Sequence, residues 1–484
     1  MSLDAAEAPR ARDLADLSVA ELAAGFAAGA FDPVDALDAA FARIDAFDGA
    51  VNAFVFQDRA TSRAMAEASA LRHAEGRAIG ALDGVTVSVK DLTPVSGWPN
   101  RRGSLALDPH APAPEDAPAA ARLREAGAVF LGKTATPESG SRIVTRSAVH
   151  GVTRNPWALD RTPGGSSGGA AAALALGMGA LATGTDGAGS IRIPAAFCNL
   201  VGLKPGFGRV PAYPPSHFMP HSVTGPMARR IADLVALTEA MARPEPRDPY
   251  AWPVPFDAAG SLGPVAGLRI AVSPDLGTGS TPGPDVLAAL DAVAGALSDA
   301  GAAVEAASPD WPVPPERPFL VFWETSYAAF LDLHAVDTAA AMAPLLHDIA
   351  ARGRGVDCFG YHRAVNDRLA IATAAHAFLT RFDAVLAPVM PGAPFDVAAE
   401  SPPGERPDDW RWAPYCYPFN MTGQPALSVP GGFDGDGLPI GVQLAARAGR
   451  EEMLLRLGAA AEERLGYDAR RPPLLSGAAA LQEP

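Results

Sequence analysis

Residues 166–190 read SSGGAAAALALGMGALATGTDGAGS, and this stretch decides the fold. The alanine-rich segment after Ser166 predicts a helix, and the residues before the GAG loop predict a short strand. A helix of about 11 residues rises roughly 17 Å, and a strand of about five or six residues covers nearly the same distance in return. We therefore expect Ser166, at the start of the helix, and Ser190, after the strand, to lie at the same edge of a β-sheet.

Both ends of this unit are glycine-rich serine loops. Gly187, Ala188 and Gly189 precede Ser190, and such a loop can turn its backbone N–H groups inward, as an anion hole for a tetrahedral intermediate requires. A plain turn has the same composition. Two such loops at matched positions nevertheless favour a functional site.

The first loop also fits a different catalytic motif. Residues 164–168 (GGSSG) match the G-x-S-x-G nucleophile elbow, which would make Ser166 the nucleophile and require an acid and a histidine further along the chain. The preceding segment, NPWALDRTPGG, is not the apolar strand that leads into such an elbow. The chain has nine histidines, so a Ser–His–Asp hydrolase built on Ser166 stays open as an alternative.

The flanking sequence predicts an α/β fold. In GVTVSVKD (84–91), valines alternate with polar residues, which is typical of a strand, and this strand ends at Lys90. Helical and strand patterns alternate up to residue 131 and again from residue 268. We predict one large mixed β-sheet flanked by helices on both faces.

We divide the chain into three parts. A capping box at Ser18 and Glu21 and a start signal at Asp32 and Pro33 predict two helices of an N-terminal helical arm over residues 1–75. The catalytic domain spans 76–470, and a C-terminal tail spans 471–484. Within the catalytic domain, 393–412 is a long polar loop with tryptophans, which we interpret as an active-site loop.

Two local interpretations concern the segment 116–134. Asp116 is predicted to cap a helix that runs to Gly127. Residues 127–134 (GAVFLGKT) match the phosphate-loop pattern, but the four residues between the motif positions form an apolar strand and Pro137 stands where a helix should begin. We therefore expect a core strand here and no nucleotide cofactor.

Composition and charge exclude several classes of protein. With 48% hydrophobic and 19% charged residues, and no apolar run of the roughly 18 residues that span a bilayer, we expect a globular chain. A formal net charge of −15 repels phosphate backbones and anionic lipids, so we expect no nucleic-acid or membrane partner.

The cysteines and the first residues indicate the compartment. The N-terminal residues lack the basic and apolar regions of a secretory signal, and three cysteines cannot form a disulfide framework. We expect a cytoplasmic protein, a monomer or homodimer, with Cys198, Cys358 and Cys416 as buried structural thiols and no metal or cofactor.

Five segments together resemble the amidase signature family. They are VKD (89–91), RLREAGAVFLGKTATPE (122–138), RNPWALDRTPGGSSGG (154–169), TDGAGSIRIPAAFCNLVGLKP (185–205) and SVTGPMAR (222–229). The resemblance extends from about residue 18 to about residue 466 and is to free-standing, bacterial-type amidases.

The resemblance implies roles for individual residues. Lys90 is the base, Ser166 is a bridging serine preceded by a cis peptide bond, and Ser190 is the nucleophile. The oxyanion hole is formed by the backbone N–H groups of Gly187, Ala188, Gly189 and Ser190. Ser167, Asp186 and Arg192 support these groups, whereas Lys133 and Lys204 are structural.

The implied chemistry is physically reasonable. A serine hydroxyl needs a neighbouring base, and a lysine serves only if burial or nearby cations lower its pKa from near 10.4. Ser166 would relay protons between Lys90 and Ser190, as histidine does in the more familiar triad. We predict an amidohydrolase that works through an acyl-enzyme on Ser190.

The substrate is a further prediction. Stretches in which members of this family differ from one another carry seven aromatic residues in this chain. They are Phe319, Phe322, Trp323, Tyr327, Phe330, Trp410 and Trp412. We interpret them as an apolar pocket for hydrophobic or aryl amides. Esters and carbamates share the carbonyl addition step, so we expect them as further substrates, and a cyclic amide is another candidate.

Two alternatives within and beyond this family stay open. One is the glutamine-hydrolysing subunit of an amidotransferase, although residues 340–370 lack the arginine-bearing stretch that such subunits use for the glutamine carboxylate. The other is a catalytically silent subunit that needs a partner.

Overall fold

The computed structural model describes residues 14–407 and 410–480. Residues 1–13 of the predicted arm, 408–409 of the predicted loop and 481–484 of the predicted tail lie outside the described residues.

Eleven strands form one mixed sheet in the order β1-β3-β2-β6-β8-β7-β12-β13-β11-β9-β10. These strands are β1 (Phe54–Phe56), β2 (Thr86–Lys90), β3 (Val129–Thr134), β6 (Leu181–Asp186), β7 (Val201–Lys204), β8 (Val223–Ala228), β9 (Arg269–Val272), β10 (Ala303–Ala306), β11 (Ala384–Pro388), β12 (Ala426–Phe433) and β13 (Pro439–Ala446). A separate pair comprises β4 (Arg146–Ser147) and β5 (Gly151–Val152). Strand β2 runs parallel to both β3 and β6, so the carboxyl ends of β2 and β6 meet at one edge.

Fifteen helices of the described part surround these strands. They are α1 (Val19–Ala28), α2 (Pro33–Val51), α3 (Arg59–Ala74), α4 (Pro118–Glu125), α5 (Gly168–Ala175), α6 (Arg192–Phe197), α7 (Ile231–Met241), α8 (Pro284–Asp299), α9 (Glu316–Asp332), α10 (Val336–Ala340), α11 (Pro344–Arg354), α12 (Cys358–Arg381), α13 (Tyr417–Met421), α14 (Glu451–Leu465) and α15 (Pro473–Ala480). Three 3₁₀ turns cover Glu138–Gly140, Trp410–Trp412 and Tyr467–Ala469.

Helices cover both faces of the sheet. The evidence is that successive buried side chains of a strand belong to hydrophobic clusters on opposite faces. In β3, Phe130 belongs to the large hydrophobic cluster on one face. Val129 and Leu131 belong to the cluster on the other face, together with Leu37 and Ile44 of α2. The predicted α/β class with a large mixed sheet is therefore confirmed.

The two N-terminal helices begin where the sequence signals lie. The Ser18 hydroxyl accepts a hydrogen bond from the backbone N–H of Glu21 at 3.2 Å, and Asp32 accepts two backbone N–H groups at the start of α2. The backbone N–H of Val19 donates to the buried carboxylate of Asp233 at 2.8 Å, which ties α1 to α7.

Two local predictions are wrong. Asp116 does not cap α4, because its carboxylate accepts the backbone N–H of Ser96 and the Nε–H of Arg124, both at 2.7 Å. Proline at the first helical position needs no such cap. Cys358 is exposed at the start of α12, whereas the other two cysteines are buried.

The phosphate-loop interpretation fails as expected. Residues Val129–Thr134 form β3, fully buried, and only a short 3₁₀ turn follows. Nucleotide binding would need a loop that leads into the first turn of a helix, but a core strand lies at this position.

Leu37→Ala is expected to lower the free energy of unfolding by about 2–5 kcal/mol, because Leu37 is fully buried between α2 and the sheet. The control is Leu71→Ala on α3, where the side chain is 58% exposed and the loss should stay within about 0.5 kcal/mol. Urea denaturation of both variants measures the difference, and equal losses would contradict the docking of α2.

Candidate active site

A cavity lies at the edge where β2 and β6 end. The two serine loops meet there, since the backbone N–H of Ser167 donates to the carbonyl oxygen of Ser190 at 3.2 Å. The helix between the loops has eight residues, shorter than expected. The predicted return geometry is nevertheless confirmed. The cavity wall includes Ser166, Thr185, Gly187, Ala188 and Ser190.

Lys90 is the last residue of β2 and is fully buried. Its Nζ lies 2.6 Å from the Oγ of Ser166 and 2.8 Å from the hydroxyl oxygens of Ser167 and Thr185. Burial lowers the pKa of Lys90 well below its usual value, although the negative charge of Asp186 acts in the opposite direction. The three hydroxyl partners carry no formal charge, and they satisfy the amine whether it has three N–H donors or two donors and a lone pair.

Ser166 lies between Lys90 and the cavity. The peptide bond from Gly165 to Ser166 is cis. Ser166 and Ser190 are both buried and both line the cavity, whereas Lys90 does not line it. Lys90 therefore contacts the cavity-lining residues through hydroxyl groups.

Asp186 anchors the second serine loop. Its carboxylate accepts the backbone N–H groups of Gly189 at 2.7 Å and Ile191 at 3.2 Å, and it pairs with the guanidinium of Arg192 at 3.0 Å. Burial alone would raise the pKa of Asp186, but the charge and hydrogen bonds of Arg192, the charge of Lys204 and a hydrogen bond from Asn420 together hold it below its usual value.

Two further residues, Asn420 and Gln443, hold this ion pair in place. The sequence patterns did not identify them as site residues. The Nη atoms of Arg192 donate to Asn420 Oδ1 at 2.6 Å and to Gln443 Oε1 at 2.8 Å. The Nδ2 of Asn420 donates to Asp186 Oδ1 at 2.9 Å. Gln443 is the single polar side chain of the segment PIGVQLAA, which was an available signal, whereas Asn420 lies among other polar residues in FNMTGQPALSVPGG.

The loop geometry removes one of the four N–H groups predicted to form the anion hole. The N–H of Gly189 is engaged by Asp186, and Gly189 does not line the cavity. The N–H groups of Gly187, Ala188 and Ser190 remain as candidate donors. Gly189 has φ +115°, and a Cβ added there would lie 2.7 Å from the Cβ of Cys416, so only glycine fits.

The other two lysines are buried and do not line the cavity, although the two hydrogen-bond partners of Lys133 do. Lys133 Nζ donates to the Thr93 carbonyl at 2.7 Å and to Asn100 Oδ1 at 2.9 Å, and burial lowers its pKa to about 8. Lys204 Nζ donates to the Pro205 carbonyl at 3.0 Å, and burial lowers its pKa to about 7. These contacts support the structural roles expected for both.

The predicted aromatic pocket is divided between wall and support. Trp323, Tyr327 and Trp410 line the cavity. The other four, Phe319, Phe322, Phe330 and Trp412, do not line this cavity but belong to the same hydrophobic cluster. Trp412 lines a neighbouring cavity, which shares Trp323 and Trp410 with the first. The cavity is also lined by groups that no sequence pattern singled out, namely Arg102, Arg142 and the segment 211–218.

The described part of the chain offers neither a metal cluster nor a membrane span. Among residues 14–407 and 410–480, no group of three or more His, Cys, Asp or Glu side chains is placed to hold a metal ion. No helix in the same part of the chain has both the length and the apolar character needed to cross a membrane.

Comparison with known proteins identifies the family. The family model described as Amidase matches residues 35–455. The chain belongs to the amidase signature family. An acylamidase of Rhodococcus erythropolis is 37% identical to this amidase over 473 residues, which is 94% of this chain and 96% of the relative.

Two other comparisons bear on function. A glutamyl-tRNA(Gln) amidotransferase subunit of Roseiflexus castenholzii is 34% identical, over 95% of this amidase and 98% of that protein. The crystal structure of a bacterial aryl acylamidase of the same family has a TM-score of 0.88 at 26% identity, covering 97% of this chain and 99% of that one. The predicted family is confirmed, and this amidase is a hydrolase of amides.

Arg192→Met is expected to destabilise the amidase by about 3–5 kcal/mol, because it leaves the carboxylate of Asp186 buried without its cation. Arg59→Met removes a surface pair with Asp45, in which both side chains are 45% or more exposed, and should cost under about 1 kcal/mol. Denaturant midpoints of the two variants test this, and similar shifts would argue against the buried pair as the anchor.

Proposed function

We propose that the chain hydrolyses carboxylic amides through an acyl-enzyme on Ser190. The observation that carries the proposal is the 2.6 Å contact between a fully buried Lys90 Nζ and Ser166 Oγ, beside Ser190 at one cavity. A buried amine without a carboxylate partner favours its neutral form, and a neutral amine is a base.

The proposed first half-reaction transfers the acyl group to the enzyme. Ser190 Oγ attacks the amide carbon while its proton passes to Ser166 and the Ser166 proton passes to Lys90. The N–H groups of Gly187, Ala188 and Ser190 stabilise the oxyanion. The intermediate collapses, the C–N bond breaks, and the proton returns from Lys90 through Ser166 to the leaving nitrogen.

The second half-reaction releases the acid. A water molecule attacks the ester on Ser190 and gives its proton to the same relay. Collapse of the second tetrahedral intermediate breaks the bond to Ser190 Oγ, which regains a proton through Ser166. Lys90 ends neutral, so the cycle balances without a cofactor.

We propose Asp186, Arg192 and Ser167 as positioning residues. Asp186 fixes the loop that carries Ser190, and Arg192 keeps Asp186 ionised and in place. Ser167 Oγ accepts from Lys90 at 2.8 Å and donates to the Thr185 carbonyl at 3.3 Å, which orients the amine towards Ser166.

Hydrophobic and aryl amides are the proposed substrates. Trp323, Tyr327 and Trp410 give the cavity aromatic walls, and relatives include an acylamidase and an aryl acylamidase. Esters and carbamates undergo the same carbonyl addition, so the proposal extends to them as side activities.

The Ser166-centred alternative is less favoured. His217 lines the cavity, but neither of its ring nitrogens has a hydrogen-bond partner among the described residues. A histidine base needs a carboxylate that orients it. Glutamine remains a test substrate because of the relative from Roseiflexus castenholzii.

Ser190→Ala, Ser166→Ala and Lys90→Ala should each lower kcat/KM for a p-nitroanilide by roughly a thousandfold or more, since the three groups act as one relay. The matched control is Ser88→Ala, a buried serine on β2 whose hydroxyl has no hydrogen-bond partner among the described residues. It should keep near wild-type activity. Full activity of Ser190→Ala with a dead Ser166→Ala would reassign the nucleophile.

The same panel should include benzamide, an aryl carbamate, a p-nitrophenyl ester and glutamine. We expect the aryl amide to be cleaved faster than glutamine because of the aromatic walls. Cleavage of glutamine alone would favour the amidotransferase alternative.

The rate should rise with pH as Lys90 loses its proton. Because burial lowers the pKa of Lys90, this rise should occur below the usual lysine value near 10.4. The pH profile of kcat/KM checks it, with Lys204→Met as control. Lys204 is also a buried lysine with a lowered pKa, but it lies outside the relay, so the rising limb should persist. An optimum in acid would refute a lysine base.

A further inference from the structure

The cavity wall carries a cation that has no counter-ion among the described residues. Arg102 lines the cavity beside Asn100, Ser139 and His217. Its guanidinium makes no ion pair and no hydrogen bond to any of residues 14–407 and 410–480, and its buried Nε has no partner there. An arginine left this way in a partly buried site is costly unless a ligand completes it.

The carboxylate whose charge acts on Arg102 is that of Asp91, and it already contacts other groups. Asp91 exerts an attractive field on Arg102, but its oxygens lie 3.6 Å from Lys133 Nζ and accept the N–H of Gly103 at 3.3 Å. The other arginine of the cavity wall, Arg142, pairs with Glu400 at 2.5 Å, and Arg146 contacts the same carboxylate oxygen at 3.2 Å. Arg102 is therefore the cavity-lining arginine that has no ion pair among the described residues, and it can offer all its N–H donors to a ligand.

Neighbouring groups shape a defined subsite around Arg102. The imidazole of His217 packs against Tyr327 and Phe330, with ring centroids 4.7 and 4.6 Å apart, and both of its buried ring nitrogens are without partners in the described chain. The guanidinium carbon of Arg102 lies 5.4 Å from the Phe330 ring centroid. A neutral imidazole can add one N–H donor to those of the guanidinium.

The backbone holds Arg102 in place. Its carbonyl accepts the N–H of Ser139 at 2.8 Å, and its φ of +54° lies in a region that few residues other than glycine adopt. The N–H of the next residue is bonded to Asp91. The side chain thus starts from a fixed loop, which suits a recognition residue.

We propose that Arg102, assisted by His217, binds a carboxylate carried by the substrate at a distance from the scissile amide. Guanidinium and carboxylate form two parallel hydrogen bonds, and the aromatic walls hold the apolar part between the carboxylate and the amide. The substrate class is then an amide with an aryl or alkyl body and a carboxylate end. This inference rests on the proposed function for the position of the scissile bond.

Binding to the Ser190→Ala variant tests the subsite without turnover. Calorimetric titration compares glutaric acid monoanilide with pentananilide, and N-acetyl-4-aminobenzoate with acetanilide. One carboxylate should bind roughly 10- to 100-fold more tightly than its neutral partner. The pair that shows the difference identifies whether the acyl or the amine side faces Arg102.

Arg102→Met in the same background should abolish that difference, and Arg102→Lys should keep part of it. Arg101→Met is the matched control, since it removes the same charge from the neighbouring residue, which does not line the cavity. Two results would overturn the proposal. One is equal binding of the acids and the neutral anilides to the Ser190→Ala protein that retains Arg102. The other is an unchanged affinity difference between acids and neutral anilides in Arg102→Met.

Turnover by the wild type separates this proposal from the proposed function. Hydrolysis of pentananilide without any preference for the carboxylates would leave the amidase mechanism standing and remove the subsite. A carboxylate preference in binding, with no hydrolysis of any anilide, would leave the subsite and remove the mechanism.

Discussion

The buried ion pair between Asp186 and Arg192 is the constraint on which the rest of the site depends. Both side chains are fully buried, so each charge requires the other. The guanidinium also reaches Asn420, Gln443 and the Cys416 carbonyl, which lie more than 220 residues further along the chain. The turn that holds Asp186 and Arg192 is thereby joined to the opposite half of the sheet.

This junction explains the shape of the second serine loop. Asp186 takes up the N–H of Gly189 and of Ile191, which fixes the turn on both sides of Ser190. Ser190 then sits on a support with little freedom, at the place where β6 ends. If Ser190 is the nucleophile, as proposed, a side chain held in this way needs little reorganisation before attack.

Lys90 depends on the same anchor in a different way. Asp186 is the charge that favours a protonated Lys90, but its oxygens are committed to Arg192 and to backbone N–H groups. Desolvation therefore dominates, and three hydroxyls replace the carboxylate that a buried lysine would otherwise need. One ion pair thus positions the proposed nucleophile and keeps the Asp186 carboxylate from pairing with the proposed base, whose pKa burial lowers.

The sequence alone determined the features set by local patterns. Period-two alternation located β2, an apolar run located β3, capping signals located α1 and α2, and the spacing of the two loops brought Ser166 and Ser190 together. Only the tertiary structure decided which groups complete the site. Asn420 and Gln443 reach Arg192 from a distant helix and strand, Asp116 bonds to Ser96 instead of a helix end, and Gly189 turns its N–H to a carboxylate. Arg102, which has no counter-ion among the described residues, could not be found either, because a missing counter-ion is a property of everything packed around a side chain. Local patterns report neighbours along the chain, whereas charge pairing and cavity walls depend on neighbours in space.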